Sequence, residues 1–483
     1  MLQPERFPIS YPAPACEALS TGHDVVRSES NTRGAKGRPR IGLLSPYTGS
    51  NLGDAAIIES ARTNLVRLFP DVWMVLIVLN CGRASRAHGL DSFPLTAVPR
   101  PFYFTTADAT PDEPAPDDRP MEPGPAPRHR SIRSAAKRAA SHVPLMLPAA
   151  AWLRDHLHRG ALEARHLMEA RRMVKTLDGL VVVGGGQFDD EFGGPWGHPY
   201  SMLKWTGLAV RAGVPVSYIG TGVDKLRYAL SRLFLRRALS RAQRVSLRDT
   251  GSPDMLRRMG VRRELAHCPD LAFGLSRPTD NAPLYRPSPP RRLTIGLSPI
   301  AYGLPGGWPT DLPESFDRYW REWESFAVSL LDSGHAVSLF CTDDADLRLT
   351  RRLYDRLKVM PHVNGRAQLM SGLSLPRLMS GLETCDAVVA SRLHGCLLSH
   401  LCGTPALAIS YRRKVRMHMA DMGQERFCLD FDHFTATEAR RALSDLLGDR
   451  ETLSASLVAA CEVKRKAVEE EFAAVGKGLT AIK

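Results

Sequence analysis

The sequence predicts an α/β protein made of two Rossmann-like, doubly wound domains facing a cleft. Three observations carry that expectation. Short apolar runs, the signature of buried parallel strands, alternate with stretches whose apolar residues recur at helical spacing. The runs break repeatedly at Gly, Ser, Asn or Asp clusters, as strands do when they enter the loops of βαβ units. The alternation occurs twice, on either side of the Pro-rich stretch SRPTDNAPLYRPSPPRR at 276–292. A chain of 483 residues with 43% hydrophobic content is long enough for two such cores.

Residues 1–39 are rich in Pro, Ser and charge and are expected to be disordered. The first domain spans 40–275. It opens with a strand at Ile41–Leu44, a break at Ser45-Pro46 and the loop YTGSNLGD, Tyr47–Asp54. A helix follows from Ala55, with its apolar stripe at Ile57, Ile58, Ala61, Leu65 and Leu68, and then a strand at Val72–Leu79. The loop is neither a G-x-G-x-x-G dinucleotide fingerprint nor a Gly-Lys-Ser/Thr phosphate loop. Asn51 and Gly53 suit a tight backbone, while Asp54 falls near the helix N-cap, where capping and catalysis are equally good readings.

Residues 108–149 interrupt this domain with an acidic Pro-rich half, the basic string RHRSIRSAAKR and the apolar string VPLMLPAAAWL. That composition predicts a flexible insertion or flap, read first as a solvated loop, with contact to an anionic membrane through its basic and apolar half as the alternative. A long helix is expected at Ala151–Leu177 and a buried strand at Leu180–Val183. Gly184, Gly185, Gly186 and Gln187 follow; glycines at a strand end let a ligand come close to the backbone. Trp196 and His198 could stack on a sugar and hydrogen-bond to it, or simply belong to an aromatic loop. A further strand runs from Val214 to Ile219. From Lys225 to Arg248 the chain carries eight Lys or Arg and no Asp or Glu, with Leu226, Leu230, Leu233 and Phe234 as its apolar stripe. Such a run is a solvated face or a surface for anionic lipid. The strand Val245–Leu247 leads to Arg248, and a helix at Ser252–Met259 follows; Asp270, in CPDLAFGL, reads as structural.

Residues 276–292 form the linker, and the second domain spans 293–430. It has a strand at Leu293–Ser298, a Gly- and Pro-rich loop at Tyr302–Pro309 and a helix bearing Trp320, Trp323, Phe326 and Leu330. A strand at Ala336–Phe340 ends in Asp343-Asp344, and a helix covers Asp346–Leu357. The most informative stretch is Asp386–Lys414. There a strand at Ala387–Ala390 breaks before Arg392, His394 and Gly395, a helix runs from Cys396 to Leu401, and a second strand at Ala406–Ile409 leads to Lys414. Open parallel sheets bind ligands outside the carboxyl ends of their strands, and free helix N–H groups there favour anions. Arg392, His394 and Lys414 therefore converge on one anion-favouring position; the alternative is a basic loop paired to a neighbouring carboxylate, and Arg-x-His at a strand end with a Lys after the next strand favours the site. Two long helices, Thr435–Leu447 and Thr452–Ala474, fill the closing segment 431–483.

The net charge of +13 fits an anionic substrate or an acidic membrane surface. Zinc-finger spacing and aromatic-interleaved basic strands are absent, so no nucleic-acid partner is expected. Nine cysteines without a C-x-x-C pair, no signal-like N-terminus and no apolar run of about 18 residues predict a cytoplasmic chain with reduced thiols. Any membrane contact is expected to be peripheral, at the inner face.

SRLHG, the following GTPALAISY and Lys414 resemble the C-terminal signature of the polysaccharide pyruvyl transferase family. Ser50-Asn51-Leu52-Gly53-Asp54 resembles that family's G-N-x-G-D motif, and the Gly184–Gly186 stretch, SLRDTGSPDMLRRMG and CPDLAFGL match further family features across roughly 41–430. The resemblance implies a GT-B-like fold with an acceptor side in the first domain and a donor side in the second. It implies a transferase of exopolysaccharide and cell-surface polysaccharide biosynthesis that moves the enolpyruvyl unit of phosphoenolpyruvate onto two sugar hydroxyls, forming a pyruvate ketal and releasing phosphate. The partners are then phosphoenolpyruvate and the sugar hydroxyls of a free or lipid-linked precursor, with no cofactor beyond the co-substrate and no metal. His394 becomes the acid, Asp54 the group that orients or deprotonates a hydroxyl, and Arg392, Lys414 and Arg248 the anion ligands. Asn51, Gly53, Gly185, Gly186, Gln187 and Gly395 line the site. Two rivals stand beside this. One is a nucleotide-sugar glycosyltransferase, disfavoured because Cys396–Cys402 carries no acidic residue to hold a ribose; the other is a non-catalytic paralogue, disfavoured because Asp54, Arg392, His394 and Lys414 occur together.

Overall fold

A computed structural model describes residues 38–97, 146–224, 226–277, 292–304, 312–361, 363 and 365–480, apart from the side chains of 146–157 and 187. The expected disorder at the N-terminus, nearly all of the 108–149 insertion, most of the 276–292 linker and the Pro-rich part of 302–309 lie outside these residues.

The first sheet contains β1 (Arg40–Leu44), β2 (Trp73–Val78), β3 (Asp91–Pro94), β4 (Gly179–Phe188), β5 (Val216–Val223), β6 (Arg244–Leu247) and β7 (Ala266–His267). The second contains β8 (Thr294–Ser298), β9 (Ala336–Phe340), β10 (Ala367–Met370), β11 (Ala387–Ala390), β12 (Ala406–Ser410) and β13 (Cys428–Asp430). Their orders are β3-β2-β1-β4-β5-β6-β7 and β10-β9-β8-β11-β12-β13. Every pairing is parallel. Each sheet reverses direction beside its first strand, between β1 and β4 and between β8 and β11. Those two switch points are where an open α/β sheet leaves a ligand crevice at its carboxyl edge.

Local chemistry explains the elements. β11 and β12, AVVA and ALAIS, are buried throughout because helices cover both faces of the sheet. The helix Leu52–Leu68 buries Ile57, Ile58, Ala61 and Leu65 against the first sheet. The helix Pro313–Asp332 buries Tyr319, Trp323 and Phe326, with Tyr319 stacked at 4.3 Å on Phe431.

Several boundaries differ from the sequence reading. The first helix starts at Leu52 rather than Ala55, because Asn51 caps it. The glycines after Val183 continue β4 to Phe188, with a register shift against β5 between Gly185 and Phe188. The long helix is Met146–Val174, and the last helix runs from Arg450 to Thr480. That last helix crosses back to the first sheet: Glu471 takes both Arg244 nitrogens at 2.8 and 2.6 Å, and Glu469 takes Arg67 at 2.6 Å. At its other end Arg450 reaches Asp386 beside β11 at 2.9 Å, so one helix straps both sheets. Among the described residues no helix is long and apolar enough to cross a membrane.

Candidate active site

The two carboxyl edges meet at the start of the first helix. The Leu52 amide donates to the Thr342 carbonyl at 2.8 Å, and Asn51 Nδ2 donates to Asp343 at 3.1 Å, tying that helix to the end of β9. The Asn51 carboxamide oxygen meanwhile accepts from the amides of Gly53 (2.9 Å) and Asp54 (3.1 Å). Asn51 is thus both the helix cap and an inter-sheet tie. Asp54, placed near the cap by the sequence, is a first-turn residue whose side chain is left for other work.

Gly53 lies directly beneath His394. A Cβ built at position 53 would stand 1.8 Å from His394 Nδ1, so only glycine lets the imidazole approach this closely. Gly185, held at φ +88°, faces Asp54 with a Cβ position 3.7 Å from its carboxylate. Gly186 faces Asp189, and the side chain of Gln187 lies outside the described residues. Gly395 has a packing role: a Cβ there would come within 2.8 Å of Ala390 Cβ, where the helix Leu393–Leu401 leaves β11.

His394 is 13% exposed, its Nε2 is 3.9 Å from Asp270, and that nitrogen is buried with no hydrogen-bond partner. Burial lowers its pKa to about 4; Asp270 opposes the shift, while Arg248, Lys414 and Arg392 reinforce it. Asp54 moves the other way. Burial, then the neighbouring Asp343 and Asp270, push its carboxyl up to about 6 against the pull of Lys414 and Arg248. Arg248 donates to Asp270 at 2.8 Å, packed where Gly222 leaves room for its guanidinium. Lys414 is half-buried in the first turn of the helix Arg413–Asp421 and makes no hydrogen bond or ion pair among the described residues. The helix Leu393–Leu401 has no side-chain cap, which leaves first-turn amides at the same spot.

Arg392 is paired to carboxylates, the alternative that the sequence offers for an arginine in this loop. Its fork is directed at the fully buried Asp346 through Nε and through Nη2 at 3.1 Å, and Nη1 lies 3.4 Å from Asp343. Asp346 in turn accepts the Ala301 amide at 2.9 Å. The Arg392 guanidinium is therefore engaged by carboxylates, and the uncommitted cation at this edge is Lys414.

The polysaccharide pyruvyl transferase family model matches residues 51–413, from the Asn51 tie to the residue before Lys414. This chain belongs to that family. It is 23% identical over 317 residues to the amylovoran biosynthesis protein AmsJ of Erwinia amylovora, covering 62% of this chain and 72% of that protein. The solved structure of Anabaena Alr3699/HepE in complex with UDP superposes with a TM-score of 0.50 at 11% identity, covering 90% of this chain and 99% of that one. The architecture is GT-B-like, and the family makes the protein a transferase of polysaccharide biosynthesis.

Within that family setting, three residues gain weight that the sequence did not assign. Asp270, read as structural, joins Arg248 to His394, as well as capping its own turn through the Ala272 amide at 3.1 Å. Arg412 holds Glu191 at 2.6 and 2.7 Å and Asp224 at 3.4 Å across the cleft, its guanidinium over Tyr302 and Tyr411. Asp343 bridges Asn51 and Arg392. For Arg412 and Asp343 the available signal was their position after predicted strands, whereas no strand is predicted ahead of Asp270; the partners of all three come from other segments. Cys396 is buried with its thiol pKa raised, as befits a packed first-turn residue. His198 is buried near Asp189 at 3.6 Å, whereas Trp196 is 57% exposed. Among the described residues no group of three or more His, Cys, Asp or Glu is placed to hold a metal ion.

Proposed function

We propose that the protein transfers the enolpyruvyl unit of phosphoenolpyruvate to two hydroxyls of one sugar in a polysaccharide precursor, free or lipid-linked, in the cytoplasm. The observation that carries this reading is the contact of Gly53 with His394. It brings the Asp54 carboxyl with its raised pKa, an imidazole and the cations Arg248 and Lys414 to one point between the two sheets. The donor's phosphate and carboxylate need such cations and the open amides of the helix Leu393–Leu401. His394 enters without a proton. Negative charge arriving with the donor draws a proton onto its unpartnered Nε2, and His394 delivers it to the methylene carbon. The central carbon becomes electrophilic, one sugar hydroxyl adds and the carbon–oxygen bond to phosphate breaks. The second hydroxyl then closes the ketal, its proton leaving to a base or to phosphate. Asp54, coming from the first-sheet side, hydrogen-bonds the acceptor hydroxyl and takes its proton as it adds.

Labelled phosphoenolpyruvate offered with a panel of free and lipid-linked oligosaccharides should release phosphate in step with a ketal mass gain on the sugar. A thermal shift with uridine or guanosine diphosphate, and none with phosphoenolpyruvate, would instead favour a nucleotide-sugar glycosyltransferase. His394→Gln keeps a hydrogen bond but supplies no proton, so donor affinity should survive while turnover falls by roughly 10²–10⁴-fold. Near-normal turnover in that variant would place the acid elsewhere.

A further inference from the structure

Beside the cleft, the loop after β4 and the helix Ala229–Leu239 build a surface that the transfer chemistry does not use. Trp196 is 57% exposed, Tyr228 51% and Leu230 36%. Trp196 packs with Tyr200 and Phe234, its ring 5.6 Å and 5.7 Å from theirs, and Tyr228 approaches the same loop at Gly194, which leaves the Tyr228 ring 3.5 Å from where a Cβ would stand. Tyr200 also lines a cavity of about 360 Å³ together with Lys204, Arg211, Arg237 and Arg241.

The charges around these side chains are one-sided. Arg211, Arg227, Arg236, Arg237 and Arg241 are exposed, and among the described residues none of them pairs with a carboxylate. The acidic groups closest by are already engaged. Glu163 takes Lys204 at 3.0 Å and Tyr200 at 3.1 Å, and Asp190 accepts the Arg227 and Tyr228 amides at 3.0 Å each. Exposed Trp and Tyr beside unpaired arginines match the headgroup zone of a bilayer, where amphipathic rings sit at the apolar boundary and arginines meet phosphates.

We propose that this face docks the protein on an anionic phospholipid bilayer. Charge complementarity selects that partner over an uncharged apolar protein surface. The loop carrying Trp196 also sends Glu191 across the cleft to Arg412, so docking sets the mouth of the active site beside the headgroups. The proposal builds on the reading above only in giving a purpose, access to a lipid-linked acceptor. Vesicle binding is measured without any reaction, so the two ideas fail separately.

The test is co-sedimentation of the full chain with phosphatidylcholine vesicles, with and without phosphatidylglycerol. Binding should require the anionic lipid and weaken at high salt. A Trp196→Ser/Arg236→Glu/Arg237→Glu variant should partition at least about tenfold less while keeping its melting temperature, since all three side chains are exposed. Absence of binding, equal binding to neutral vesicles, or binding unchanged in the variant would overturn the proposal. Retention by a soluble anionic polysaccharide and not by vesicles would overturn it too, and would assign the face to a glycan.

Discussion

The imidazole of His394 rests on the backbone of Gly53, which makes a single methyl group a sharp probe of the site. Gly53→Ala changes the second residue of the first helix, where helix propensity by itself would make alanine neutral to stabilising. Here the added Cβ would stand 1.8 Å from Nδ1, so the ring must move. The variant should lose most turnover while keeping its circular dichroism; a higher melting temperature with full turnover would show that the contact is not made. The two cations should separate in a similar way. Lys414→Ala removes an uncommitted charge and should weaken phosphoenolpyruvate binding by roughly 1.5–3 kcal/mol in calorimetry, with little change in stability. Arg392→Ala strands the buried Asp346, and chemical denaturation should register a loss of about 3–5 kcal/mol. If Arg392→Ala left stability intact and abolished donor binding, the arginine would be an anion ligand after all.

At the scale of elements, the helices Leu393–Leu401 and Arg413–Asp421 pack through a buried pair of histidines. His418 Nε2 lies 3.1 Å from His400 Nδ1, with the rings stacked 5.1 Å apart. Burial lowers both pKa values, to about 3 for His400 and well below the usual value for His418, where His400 adds to the effect. Together with His394 they fold neutral, while in the unfolded chain they take up protons below about 6.5. Between about pH 4 and 6.5 the unfolded state therefore binds more protons, and stability must fall as pH falls. Asp54 acts in the opposite sense: its raised pKa lets the folded state hold the extra proton between about 4 and 6, so its contribution fades as pH rises. Burial lowers the pKa of His166 and His335 as well, so five histidines outweigh the three raised carboxyls of Asp54, Asp344 and Asp346. Denaturation free energies should drop from pH 6.5 to 4.5, and His418→Phe should flatten that slope by about one proton, roughly 1.4 kcal/mol per pH unit. An unchanged slope would mean that His418 is already charged in the folded protein.

For the molecule as a whole, the cleft is closed by contacts between residues far apart in sequence. Arg412 grips Glu191 and Asp224, Asn51 reaches Asp343, Arg83 meets Asp344 at 3.4 Å, and the last helix straps both sheets. Arg412→Ala removes the best-formed of these clasps without touching His394 or Asp54. The expected result is a raised KM for the donor with kcat reduced less, and a larger radius of gyration in solution scattering. A normal KM with unchanged scattering would reduce Arg412 to a surface ion pair.

Much of this was written locally in the chain. Buried parallel strands such as AVVA and ALAIS are continuous apolar runs, the glycine-rich breaks mark their ends, and SNLGD and SRLHG carry the family resemblance within a few residues. The two sheets and the place of Asp54, Gly53, His394 and Lys414 at their edges are legible for that reason. Strands of two to four residues, such as β3, β7, β10 and β13, were not, because so few residues show no periodicity and their pairing partners define them. Nor was the state of the site. Asn51 as an inter-sheet tie, Arg392 turned to Asp343 and Asp346, and Asp270 between Arg248 and His394 each join separate strand ends. The proton balance between Asp54 and His394 follows from the same meeting. Secondary structure answers to neighbours within a few residues, whereas desolvation and charge answer to whatever the folded chain brings within a few ångströms, and only the tertiary structure decided that.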